Sequence, residues 1–139
     1  MGRVTTEVSI SNLRDLYEVE CGRMTDDQVR RIVVPEALVD TGASTLALTP
    51  SLIARLGLTK RFEKRIRTAA GPATTGQYDA VRMEIMGREA TVDPIDIPED
   101  TPVLIGQIPL EAMDWVVDLG AQKLIGNPAH GGEHIIEMY

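Results

Sequence analysis

The chain has little that would hold a metal cluster, a disulfide or a stack of bases. Cys21 is its one cysteine, which excludes an intramolecular disulfide and any cysteine-held zinc or iron–sulfur centre. Aromatic residues are 4% of the 139, one Trp, three Tyr and one Phe. The core must therefore come from Val, Ile, Leu, Met and Ala, and stacking platforms for nucleotide bases are missing. Positive charge is also scarce: 14 Lys and Arg stand against 21 Asp and Glu, a net of −7, which opposes binding to nucleic acid phosphates. No apolar run approaches the roughly 18 residues of a membrane span, and the opening Met1-Gly2-Arg3-Val4-Thr5-Thr6-Glu7 has no apolar leader segment. A cytoplasmic protein with no nucleic acid partner and no membrane partner is expected.

What is present is the balance of a globular protein, 43% hydrophobic and 25% charged, with the length for one domain, residues 1–139, around one core. Residues 4–12 set Val4, Val8 and Ile10 against Thr5, Glu7 and Ser9, as in a half-buried strand. Residues 32–39 are apolar and β-branched, with Pro35 suiting an edge or a bulge, and they end at Asp40. Leu46-Ala47-Leu48 continues as a short strand. Thr49 then caps a helix that opens on Pro50, turns Leu52, Ile53 and Leu56 to one face and stops at Gly57. Ala70-Gly71-Pro72 turns a hairpin whose arms, residues 64–70 and 73–81, are polar and small near the tip. Residues 81–86 and 90–93 form a second hairpin through Gly87-Arg88. Residues 103–106 read as a buried strand, 109–115 as a short helix, and 115–119 with 122–125 as a final strand pair. Residues 13–31 show little beyond Leu13, Leu16 and Tyr17 at helical spacing. So many short strands in succession predict a mainly all-β barrel or sandwich.

Asp40 has the most chemical promise. The apolar run Ala37-Leu38-Val39 delivers its carboxylate to a place expected to be poorly solvated, and Thr41-Gly42 turns the chain at once. An Asx turn, in which the carboxylate accepts from the next amides, would by itself account for three such residues. The wider pattern adds Ala43-Ser44, Leu46-Ala47-Leu48, a helix ending in Leu56-Gly57-Leu58, a hairpin over residues 67–78, and Leu104-Ile105-Gly106 ahead of Ile108-Pro109-Leu110-Glu111. In this order the pieces resemble the retropepsin-like aspartic proteases. The stretches around Leu104 and Leu124-Ile125-Gly126-Asn127-Pro128 are similar to short bacterial and archaeal members.

That resemblance implies an all-β fold, a closed barrel with a flap hairpin and one or two short helices, and an aspartic endopeptidase. Its chemistry needs two carboxylates sharing one proton, because like charges so close cannot both ionise. The ionised one activates a water and the protonated one polarises the scissile carbonyl. One chain offers one Asp-Thr-Gly; Asp118-Leu119-Gly120-Ala121 has Leu in place of Thr and reads as a loop or strand-end acid. The dyad is therefore expected from Asp40 of both chains of a homodimer, across a two-fold axis. The resemblance implies that Thr41 hydrogen-bonds across that axis and that Gly42 permits the close approach. Ala43 leaves out a hydroxyl donor, hence a less acidic working range. Ala70, Gly71 and Pro72 would close over an extended peptide or protein substrate. Ile105 and Gly106 would support the pocket, with Leu46, Leu48, Val103 and Ile105 lining it. No cofactor and no metal are implied. The alternative is a non-catalytic peptide-binding or dimerisation module on the same fold.

Four further features call for less. His130-Gly131-Gly132-Glu133-His134 has the spacing of an inverted zinc-protease motif, but that motif works on a helix and paired glycines disfavour one, so a polar turn is expected. Cys21 has no evident base and reads as a structural thiol; Trp115 reads as a core or dimer contact. Residues 135–138, within a tail over 134–139, read as a terminal strand, and the resemblance implies that it completes a dimer sheet; deleting residues 134–139 should weaken dimerisation.

Overall fold

A computed structural model describes residues 3–135. The alternating stretch near the N-terminus is β1 (Thr5–Asn12), with Val8, Ile10 and Asn12 buried while Thr5 and Glu7 face solvent. It pairs antiparallel with β2 (Arg31–Val39). Pro35 takes the bulge option: Pro35 and Glu36 together oppose the single Glu7, where the register slips between Thr6↔Ala37 and Val8↔Val34. A bulge lets a residue without an amide hydrogen sit in a strand flanked on both sides.

The segment with little pattern folds as α1 (Leu13–Glu20) and a single 3-10 turn, Asp26–Gln28, one helix more than the one or two expected. Asn12 starts α1: its side chain accepts from Asp15 N and donates from Nδ2 to Leu56 O at 2.7 Å. Buried Asp15 is in turn held by Arg30, through the backbone N at 3.0 Å and the guanidinium at 2.8 and 2.9 Å. These contacts tie the connection between β1 and β2 to α2 (Pro50–Leu56). Helix α2 follows β3 (Leu46–Leu48), opens on Pro50 and ends at Gly57 in the left-handed conformation, φ 66°.

The remaining strands are β4 (Lys60–Thr68), β5 (Gly71–Tyr78), β6 (Val81–Ile85), β7 (Arg88–Val92), β8 (Ile95–Asp96) and β9 (Leu104–Ile105). With β1 to β3 they form one nine-stranded sheet in the order β4-β5-β8-β3-β9-β2-β1-β6-β7, curled as a half-barrel with β4 and β7 at its edges. The β6–β7 turn falls on Met86 and Gly87, both at positive φ, one residue earlier than expected. Helix α3 (Gln107–Ala112) leads into a separate antiparallel pair, β10 (Trp115–Asp118) and β11 (Lys123–Gly126). The core is aliphatic, as the shortage of aromatics demands: Ile10, Leu46, Leu56, Met83, Ile85 and Ile105 are fully buried in one cluster. No helix among the described residues is long and apolar enough to cross a membrane.

Candidate active site

Asp40 follows the last residue of β2, where the chain leaves the sheet. Its backbone N donates to Ile105 O at 2.9 Å, and its carbonyl accepts from Ala43 N at 3.0 Å. Its carboxylate Oδ1 accepts from Gly42 N at 3.0 Å, so the Asx turn is present. A Cβ on Gly42 would lie 3.3 Å from that oxygen, crowding the carboxylate. Asp40 itself is half-buried, while Thr41 and Gly42 are exposed, so within one chain the carboxylate is less enclosed than expected. The Thr41 hydroxyl makes no hydrogen bond among the described residues.

The far side of this loop is locked to the start of α3. Gly106 N donates to Thr45 O, Gln107 N to Ala43 O and Ile108 N to Ser44 O, at 2.9 to 3.0 Å. Strand β9 lies parallel to β2, with Val39↔Ile105, and antiparallel to β3, with Leu46↔Ile105. The two halves of the motif, more than sixty positions apart, thus meet across β9. A Cβ on Gly106 would fall 2.6 Å from Thr45 N and O and 2.7 Å from Ala43 O, so nothing larger than hydrogen fits there.

Ile105 supports this loop through its carbonyl, while its side chain belongs to the core. Leu46, Leu48 and Ile105 are 0% exposed and Val103 is 5%. They do not line a substrate pocket as expected, because their side chains are packed into the core. The groove that does reach Asp40 and Thr41, about 570 Å3, is walled by Leu38, Val39, Leu110, Trp115, Val116 and Leu119 among others.

The hairpin β4–β5 turns at Ala69-Ala70, with Thr68 paired to Gly71. The expected turn residues Gly71 and Pro72 are instead the first residues of β5, and Ala70 is at the tip. Gly71 has φ 113° and open space around it, and Thr68 Oγ1 donates to its carbonyl at 2.7 Å. The stem is anchored, since Thr75 Oγ1 donates to Asp96 O at 2.9 Å and Tyr78 OH to Asp96 Oδ2 at 2.9 Å. From Lys60 to Ala70 only Ile66 is even partly buried. The result is a long arm held at its base and free at its tip. A cavity of about 400 Å3 lies between this arm (Lys64, Arg65, Ile66), the Asp40 loop (Ser44, Thr45) and Ile108.

The other singled-out residues lie elsewhere. Asp118 ends β10 and accepts from Ala121 N, as a strand-end acid. His130 Nδ1 pairs with Asp114 Oδ2 at 2.6 Å, and His134 Nε2 lies 3.1 Å from Ala112 O, so the two imidazoles have separate partners. Among the described residues no three His, Cys, Asp or Glu side chains converge as metal ligands. Cys21 is exposed at the end of α1. Trp115 is half-buried under the Arg88 guanidinium, 4.0 Å from its ring centre. The terminal strand expected over residues 135–138 falls largely outside the described residues. Missed by sequence reasoning was Asp114, which has φ 57° and holds His130, Asn127 and Ile135 N. An isolated Asp before a strand carries no signal of such a role.

Among curated proteins none matches the chain. Residues 27–107 match the family described as aspartyl protease. That span, more than half of the chain, runs from the turn before β2 through Asp40 and the hairpin to Gly106 and the first residue of α3. With the carboxylate loop, the arm above it and the glycine junction behind it all inside the match, the chain belongs to the aspartyl protease family of the retropepsin-like clan.

Proposed function

We propose that this protein is an aspartic endopeptidase, one domain over residues 1–139, that works as a homodimer with Asp40 of each chain forming the dyad. The observation that carries this reading is the Asp40-Thr41-Gly42 turn, half-buried at Asp40 and exposed at Thr41 and Gly42, backed by Gly106 and bordered on its open side by an apolar groove. A second copy placed across a two-fold axis at that turn covers the groove and brings the two carboxylates together. It also gives the Thr41 hydroxyl a partner. Two carboxylates in contact share one proton; the ionised one draws a proton from a bound water, and the protonated one hydrogen-bonds the scissile carbonyl as it becomes an oxyanion. The arm β4–β5 closes over an extended peptide, excluding bulk water from the dyad.

The test is cleavage of a diverse peptide mixture, read by mass spectrometry from about pH 3.5 to about 7.5. Asp40→Asn keeps the shape and the Gly42 contact but removes the shared proton. Cleavage is expected from the native chain and none from a folded Asp40→Asn chain. Equal cleavage by both would exclude Asp40 as the catalytic group.

A further inference from the structure

Charge is distributed unevenly in this molecule, and the hairpin is where the cations gather. Between Lys60 and Tyr78 stand five Lys and Arg against one Glu, a net of +4; the whole chain is at −7, so everything outside the hairpin is at −11. Two of the five cations are engaged in the stem, Lys60 with Glu63 and Arg61 with Asp79. Lys64, Arg65 and Arg67 are exposed and form no ion pair among the described residues. Lys64 and Arg65 border the cavity that reaches Ser44 and Thr45 of the Asp40 loop. The one carboxylate of that cavity, Asp93, accepts from Gln77 Nε2 at 3.1 Å and neutralises neither cation. Residue alternation puts Arg65 and Arg67 on one face of the arm and Lys64 on the other. Among the described residues strand β4 is also an edge of the sheet, with a row of backbone groups open to an added strand.

We propose that the cleft beneath this hairpin selects acidic segments, peptides carrying Asp or Glu beside the bond to be cut. This rests on the endopeptidase reading above. An acidic peptide is repelled by a body at −11 and attracted by the arm, so the field steers it to the cleft. In a two-fold dimer two such arms overhang one cleft and the attraction doubles. Lys64 and Arg65, which border the cavity, are the specificity-determining residues, and Arg67, next along the face of Arg65, adds to the positive field of the arm. A peptide suits the site better than nucleic acid, because of the arm's two aromatics Tyr78 is tied to Asp96 in the stem and only Phe62 is exposed, and a long polyanion would also meet the acidic body.

The experiment compares kcat/KM for acidic, uncharged and basic peptides of one length, at about 20 and about 200 mM salt. The native chain is expected to prefer the acidic over the uncharged peptide by about tenfold at low salt and less at high salt, chiefly through KM. In the triple variant Lys64→Glu, Arg65→Glu, Arg67→Glu the ratio should fall to one or below. Arg55→Glu, a single reversal on α2, should retain it. Equal kcat/KM for all three peptides overturns the inference and leaves the endopeptidase standing; the cations would then only guard a sheet edge against aggregation. If nothing is cleaved, anisotropy of the labelled acidic peptide on the Asp40→Asn chain decides. Salt-sensitive binding lost in the triple variant upholds the acidic site, and binding indifferent to these charges overturns it. A single-stranded oligonucleotide that binds more tightly than the acidic peptide also overturns it.

Discussion

At Gly106 the amide, the missing side chain and the neighbouring carbonyls act together. Its N–H holds Thr45 O, and the space a Cβ would need is occupied by Thr45 and Ala43 backbone. Backbone atoms cannot swing aside as a long side chain can, so the strain of a larger residue would be taken up by the Asp40 loop. Gly106→Ala is expected to destabilise the fold by about 3 kcal/mol, the upper part of the range for overpacking a tight site. Urea midpoints of the native and variant chains measure this, and an unchanged midpoint would mean that the junction yields freely. The motif around Asp40 was legible in the sequence because its parts are local: an apolar strand, an acid, a turn glycine. The partner that makes Gly106 indispensable was not, since it lies more than sixty positions away. Asn12 shows a signal that was present and overlooked. An Asn three positions ahead of an Asp, before Leu13, Leu16 and Tyr17 at helical spacing, is a helix start.

At the scale of elements, the C-terminal pair β10–β11 is outside the main sheet and is held by side chains. Arg88 of β7 donates to Met113 O, Asp114 O and Gly132 O and stacks on Trp115. Asp114 gathers His130, Asn127 and Ile135 N, and the hydrogen bond from His130, foremost, holds its carboxyl down from 3.8 to about 2. A folded value below the unfolded one means stability that is fully present above about pH 4 and is lost as pH falls towards 2. Native protein should therefore melt well above Asp114→Asn at pH 5, and the gap should close by about pH 2. Thermal melts across that range test it, and a gap that stays constant would remove Asp114 as the titrating group. Strands with clean alternation, β1 and β6, were readable for the same reason that they are stable: one face is buried and the other is not. The arm β4–β5 was readable as a hairpin, but its turn fell at Ala69-Ala70, because the register of two exposed arms carries little hydrophobic information. Its run of cations was visible in the sequence and hidden by the net charge.

At the scale of the whole molecule, the exposed apolar residues beside the Asp40 turn bear on assembly. Leu119 is 81% exposed and Val116 37%, and both border the groove that reaches Asp40 and Thr41. Monomeric proteins tolerate single exposed aliphatics, but a groove of them beside an exposed turn fits an interface between copies. Val116→Asp with Leu119→Asp should shift sedimentation from dimer to monomer and abolish peptide cleavage together, since each buried charge would be unpaired at the interface. A double variant that stays dimeric would place the interface elsewhere. One that becomes monomeric and remains active would remove the shared dyad.

The sequence by itself determined the all-β character, the aliphatic core, the carboxylate at a strand end and the helix from Pro50 to Leu56. Each of these is written in residues a few positions apart, through alternation, turn chemistry and capping. Tertiary structure alone decided that β9 runs between β2 and β3, that Leu46 and Leu48 fill the core instead of a cleft, and that Asp114 clasps the C-terminal segment. It also decided that Lys64 and Arg65 overhang the Asp40 loop. Those outcomes depend on which distant backbones approach closely enough to exclude a side chain or pair a charge, and that is settled only when the whole sheet curls around its core.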